Sequence, residues 1–201
     1  MKEILMLKDR LTTLESQDKC RDSFMEYIRY IWDGFIEGEH HRLIADKLTE
    51  VAQGKCKRLI VNMPPRHTKS EFASVYFPSW IMGLKPDMKI MQTTHTADLS
   101  IRFGRKVRNL MDTQEYKRMF DNVSLAADSK SAGRWETSQG GEYFAAGVGG
   151  AITGRGADLL IIDDPHSEQD ALSLTAMEGA YEWYTSGPRQ RLQPGGAIVI
   201  V

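Results

Sequence analysis

The octapeptide Met63-Pro-Pro-Arg-His-Thr-Lys-Ser70 follows an apolar segment, Arg58-Leu-Ile-Val-Asn62, and ends in a Lys-Ser pair that opens an amphipathic stretch. A strand feeding a tight turn, then a helix beginning with Lys-Ser, is the layout of a phosphate-binding loop. In such a loop successive backbone N–H groups, here those of Pro65-Arg66-His67-Thr68 apart from the proline, and the helix N-terminus face a polyphosphate. The ammonium of Lys69 would neutralise it and the hydroxyl of Ser70 would reach Mg²⁺. Arg66 could reach a γ-phosphate in cis or pair with a surface carboxylate. The pattern G-x-x-x-x-G-K-[ST] is not met in full, because Met63 and Thr68 stand in the glycine places. An ordinary proline-containing turn before a helix fits the same eight residues.

A second motif bears on that choice. Leu159-Leu-Ile-Ile-Asp-Asp164 is a run of apolar residues ending in two carboxylates and followed by Pro165. Such a run reads as a parallel strand buried on both faces, whose carboxyl end opens on a ligand crevice. Asp163 would then hold the hydration shell of Mg²⁺ and Asp164 would polarise an attacking water. The bland alternative is a buried strand ending in an Asx-Pro turn. Lys-Ser and Asp-Asp together, inside a strand-helix alternation, favour the nucleotide site.

The elements that must position these groups follow from periodicity. Residues 1 to about 50 read as helical, with Phe24, Ile28, Ile31 and Trp32 at helical spacing and a further helix near 43–51. Then come a strand at 58–62, a helix at about 69–82, a strand at 89–93 and a helix at about 97–111, the pattern of a doubly wound parallel sheet. On that helix Leu99, Phe103, Val107 and Leu110 form the expected apolar stripe. Arg102, Arg105, Lys106 and Arg108 gather away from it, as a solvated surface or as a phosphate-tracking one. Between 112 and 157 the alternation stops, and 134–145 reads as a β-hairpin turned at Gly140-Gly141. A glycine-rich loop, 147–156, leads to the Asp-Asp strand. A helix near 170–184 and a turn at Pro194-Gly-Gly196 precede a last apolar strand, 197–201. A chain ending inside such a strand is expected to be a fragment.

Composition bounds the rest. The 201 residues suit one α/β domain with a small appendage. No apolar h-region or membrane-length apolar run is present, which argues against secretion and spanning. The 26 basic and 27 acidic residues nearly cancel, so any nucleic-acid role must rest on local clustering. Cys20 and Cys56 fall in no metal-ligand spacing and read as free thiols in a reducing compartment.

The residues 64–70, Thr93-Thr-His-Thr-Ala-Asp-Leu99, Gly147 to Arg155, Leu159 to Pro165 and Pro194-Gly-Gly196 resemble the ATPase domain of the large terminase subunit of tailed bacteriophages. The likeness covers most of the chain from about residue 40 onward. In that family an altered loop with an extra arginine is normal, whereas Thr68 departs from its usual glycine. The resemblance implies an α/β fold with a mostly parallel, doubly wound sheet of the P-loop (ASCE-type) NTPase class. It divides the chain into an N-terminal helical segment, 1–54, packing beside the nucleotide site, and a P-loop ATPase core, 55–201, with a nuclease domain beyond. It implies ATP and Mg²⁺ as ligands and double-stranded DNA as the translocated partner. It further implies a homo-oligomeric ring, the portal protein and the small terminase subunit as partners, no membrane, and a place in the host cytoplasm and transiently at the procapsid portal vertex. By the same likeness Arg155, framed by glycines that permit close approach, would enter a neighbour's site as an arginine finger, with a structural ion pair as the alternative. His41 would contact adenine, or be a helix-surface histidine. Two other readings stand beside this one: a superfamily-two helicase-like DNA-dependent ATPase, and a non-hydrolysing nucleotide-gated binding module, the latter suggested by the two missing glycines.

Overall fold

The computed structural model describes residues 1–128, 131–152 and 154–201, apart from the side chains of Lys2, Glu3 and Asp9. Three helices come first: α1 (Lys2–Asp22), α2 (Phe24–Ile31) and α3 (Glu39–Ala52). Ser23 separates the first two and caps α2, its hydroxyl accepting from the Glu26 N–H. Phe24, Tyr27 and Ile28 of α2 are fully buried. Phe24 packs edge-on against Phe72 and Phe77 and tilted on Trp80, so the N-terminal helices share one core with the sheet-covering helices.

Strand β1 (Arg58–Ile60) leads through a loop to the helical stretch 69–84. This consists of α4 (Lys69–Glu71), a π turn (Phe72–Tyr76) and α5 (Phe77–Leu84). Next come β2 (Lys89–Thr94), α6 (Ala97–Met111), α7 (Gln114–Met119), β3 (Arg134–Glu136), β4 (Glu142–Gly147) and β5 (Ala157–Ile162). A short 3₁₀ turn (Asp170–Leu172), α8 (Leu174–Ser186), a second 3₁₀ turn (Pro188–Arg191) and β6 (Leu192–Ile200) close the chain. The six strands form one sheet in the order β1-β6-β5-β2-β4-β3, parallel throughout except for β3, which runs antiparallel to β4 at the edge.

Burial alternates as a pleated strand requires. Leu159 and Ile161 of β5 face the larger core, under α2, α3, α5 and α6, while Leu160 and Ile162 face a smaller cluster with Met91, Ala146, Ile152 and Ile198. The run expected to be buried on both faces is therefore so, with 159–162 at most 4% exposed. The second face is thinly covered: α8 buries no residue fully and leaves Leu174, Met177 and Tyr181 exposed.

Several elements differ from the sequence reading. The hairpin forms with Gly140 at φ +85° in its turn, yet β4 also pairs with β2 along its whole length and extends the parallel sheet. Pro194-Gly-Gly196 is not a turn ahead of the last strand. It lies inside β6, where 192–197 oppose only 157–159 and the surplus residues bulge out. The buried face of α6 is Ser100, Phe103, Gly104, Val107 and Met111, with Leu99 and Leu110 only partly covered. Small residues face inward because α6 lies close on β4: the Ser100 hydroxyl donates to the Ala146 carbonyl at 2.6 Å. A Cβ on Gly104 would come within 2.7 Å of the Ala132 carbonyl oxygen. Thr153, within the glycine-rich loop, lies outside the described residues. Cys20 and Cys56 are free thiols, and among the described residues no helix is long and apolar enough to cross a membrane.

Candidate active site

At the carboxyl end of β1 the Val61 N–H still donates to the Ile200 carbonyl at 2.8 Å. Beyond it the chain turns through 62–68 into α4. Thr68 takes a left-handed conformation, φ +61°, at the cap of α4, and Arg66 does the same at φ +66°. A β-branched residue pays heavily there, so Thr68 reproduces, at a cost, the geometry that glycine gives freely. Its side chain supplies the compensation. Its hydroxyl lies 2.6 Å from His41 Nε2 and donates to the His67 carbonyl at 2.6 Å. The Gly38 N–H donates to His41 Nδ1 at 2.9 Å, so Nδ1 is unprotonated and Nε2 carries the hydrogen offered to Thr68. His41 is buried on Phe72 and Phe35. Burial first, then the neighbouring His40, hold its pKa below the usual histidine value. Its observed partner is thus the loop itself.

The two motifs meet. Lys69 Nζ lies 2.7 Å from Asp164 Oδ1, and the Ser70 hydroxyl donates to Asp163 Oδ1 at 3.0 Å. Asp163 is 1% exposed, and its other oxygen receives the Ser74 hydroxyl at 2.6 Å. Burial raises the Asp163 pKa, and the Ser74 and Ser70 hydrogen bonds oppose the shift. Asp164 sits just past β5 at φ +43°, with its N–H on the Val201 carbonyl and its own carbonyl accepting from the His95 N–H.

Lys69, Ser70 and Asp164 border a cleft of about 950 Å³, lined also by Met63, Arg66 and His95 among others, with the buried Asp163 behind Ser70. Among the described residues the non-glycine positions with positive φ are Arg66, Thr68 and Asp164, and all three line this cleft. Backbone strain concentrated at one cleft is a mark of a functional site. Two ring nitrogens near it, His95 Nδ1 and His166 Nε2, are buried without hydrogen-bond partners. Pro65 also lines the cleft, and its carbonyl holds the exposed His67 through Nδ1 at 2.9 Å. No cluster of three or more His, Cys, Asp or Glu among the described residues could hold a metal unaided. One carboxylate beside one hydroxyl instead matches the sparse oxygen set with which Mg²⁺ is held alongside phosphates.

The remaining candidates lie elsewhere. Arg155 is at the opposite end of the sheet, ahead of β5. It ion-pairs with Glu142 and lies 4.3 Å over the Phe144 ring. It does not meet Lys69 within the chain. On α6, Arg102 and Arg105 are exposed, Lys106 pairs with Glu71 next to Ser70, and Arg108 contacts Asn109 at 3.4 Å.

No protein-family model matches the sequence, and no curated protein does. Among solved structures, the crystal structure of the HK97 bacteriophage large terminase superposes with a TM-score of 0.51 at 11% identity, over 83% of this chain and 33% of that one. The fold is terminase-like. At this identity the likeness concerns the fold alone, and the chain spans about a third of the terminase it matches.

Within this terminase-like fold, Ser74, Gln92 and His166 belong to the site or its support and carry no motif, whereas His95 and Leu99 fall in the stretch 93–99 already singled out for its resemblance. Ser74 alone had a signal, standing four residues after Ser70 and hence on the same helix face.

Proposed function

We propose that this chain is the ATP-hydrolysing motor domain of a viral DNA-packaging terminase, of the P-loop class, translocating double-stranded DNA into a procapsid. The observation that carries the reading is the double contact of Lys69 with Asp164 and Ser70 with Asp163, made by motifs from two separate strands.

In this reading the loop N–H groups and Lys69 bind the β- and γ-phosphates of ATP, and Arg66, exposed at the cleft rim, adds charge at the γ end. Ser70 and Asp163 would hold Mg²⁺, which supplies neutralisation of phosphate charge when bound. As phosphate takes Lys69, Asp164 is released to orient water and accept its proton. Catalysis comes from positioning and charge stabilisation. His41 fixes Thr68 and hence the loop, with an adenine contact only at its rim.

Arg155, placed far from its own cleft, fits an arginine finger only in a neighbouring copy, which calls for a homo-oligomeric ring. Arg102, Arg105, Lys106 and Arg108 are the proposed DNA backbone contacts. The portal protein and small terminase subunit are the expected assembly partners, and the host cytoplasm and portal vertex the expected place.

The test is ATPase rate against protein concentration for the wild type, Lys69→Ala, Arg155→Ala and Asp164→Asn, then for the last two mixed. Rescue in the mixture, with activity rising faster than linearly, supports the ring motor. Linear activity without rescue points to a cis-acting helicase-like ATPase, and ATP binding without turnover at any concentration to a nucleotide-gated module.

A further inference from the structure

We infer that Ser74 and Gln92 are positioning residues that set the orientation of the Asp163 carboxylate toward its cation. The inference rests on the proposed role of Asp163 in holding Mg²⁺.

Ser74, Gln92 and Asp163 come from the π turn, β2 and the end of β5, and each is at most 1% exposed. The Ser74 hydroxyl donates to Asp163 Oδ2 at 2.6 Å while accepting from Gln92 Nε2 at 3.1 Å. A hydroxyl has one proton. With the Gln92 amide feeding its oxygen, that proton is committed to Asp163. The carboxylate is thereby pinned by Oδ2, and Oδ1 is the oxygen turned to Ser70, which itself lines the cleft.

Stability alone does not explain this arrangement. Gln92 Oε1 is buried with no hydrogen-bond partner, and an orphaned buried amide oxygen is costly where an apolar side chain of similar volume would pack without penalty. Ser74 also sits within a π turn, an irregularity that recurs at functional sites because it redirects side chains across a helix. A buried, fully committed hydroxyl behind a metal-facing carboxylate is the arrangement by which outer residues tune a cation site.

The experiment measures Mn²⁺ binding to the 201-residue chain by loss of the free-ion paramagnetic resonance signal, with ADP present, and ADP binding without divalent cation. The variants are Ser74→Ala, Gln92→Leu and, as control, Ser70→Ala, each checked by thermal melting. Ser74→Ala should weaken Mn²⁺ binding about 10-fold and Gln92→Leu by a smaller factor, with cation-free ADP affinity unchanged. Ser70→Ala should also weaken Mn²⁺ binding. Folded Ser74→Ala with normal Mn²⁺ affinity, beside a weakened Ser70→Ala, overturns the inference; if Ser74→Ala does not fold, an unaltered Gln92→Leu does so. Normal Mn²⁺ affinity in Ser70→Ala as well overturns the underlying cation-site reading instead.

Discussion

The ammonium of Lys69 and the carboxylate of Asp164 are in direct contact at 2.7 Å, the lysine 14% exposed and the aspartate 57%. Each group's proposed duty lies toward a nucleotide, and here each satisfies the other. On the proposed reading, a polyphosphate that takes Lys69 must open this pair.

Replacing Asp164 by Asn should therefore tighten ATP binding while stopping turnover. The pair is half in solvent, so its rupture is worth only about 2- to 5-fold in affinity, whereas loss of the base should lower turnover by about 100-fold or more. Titration with a fluorescent ATP analogue and a phosphate-release assay report the two effects separately. Weaker binding in Asp164→Asn would show that the carboxylate does not compete for Lys69.

Thr68 combines strain with two compensating hydrogen bonds. Thr68→Ala keeps the left-handed strain and loses both bonds, and should cost about 2 kcal/mol in chemical denaturation. Thr68→Gly loses the bonds but also the strain, and should be about 1 kcal/mol more stable than the alanine variant. Equal stabilities for the two variants would mean that the loop relaxes once the threonine is gone.

His41 supplies a pH dependence. The folded protein favours its neutral ring, so the unfolded chain takes the proton first as pH falls. The stabilising contribution is complete above the ordinary value of about 6.5 and is lost as pH falls through the lowered one. Protonating Nδ1 also ejects the Gly38 N–H from its acceptor. Nucleotide affinity should stay flat through the ordinary value of about 6.5 and fall only as pH passes the lowered one, and His41→Gln should remove most of that fall. An unchanged profile in the variant assigns the dependence to another group.

Gly147 ends β4 where α6 begins to pack. A Cβ there would stand 2.5 Å from the Ala97 N and 2.9 Å from the Thr96 carbonyl carbon, both backbone atoms that cannot swing aside. Gly147→Ala should destabilise the protein by about 1–3 kcal/mol and lower its melting temperature. A wild-type melting curve would show that the start of α6 is free to move.

The parts of this structure that sequence revealed are those with repeating or chemically singular signals. The apolar run 159–162 reads as a strand buried on both faces and is one, and Lys69 and Asp164 do meet. What escaped depends on partners distant in sequence. The stripe on α6 was displaced because size misled: Ser100 and Gly104 lie inward, where close approach excludes bulk, and Leu99 borders the cleft. The 192–196 bulge reads as a turn because Pro-Gly-Gly marks irregular backbone without saying whether pairing resumes on the same strand. Ser74 offers no cue beyond its spacing from Ser70, since only the fold brings Gln92 and Asp163 to it.

Strand β6 separates β1 from β5, so the loop strand and the carboxylate strand never touch. Backbone bonds from Val61 to Ile200, from Val201 to Ile162 and from Asp164 to Val201 stitch the three together. At about 4.8 Å per strand spacing, β6 acts as a shim about two spacings wide, and its thickness is set by peptide geometry rather than by any side chain. The gap that Lys69 bridges is therefore insensitive to surface substitutions and sensitive to anything that splays the carboxyl ends of these strands. The sheet thus fixes the span that the lysine–aspartate contact has to cross.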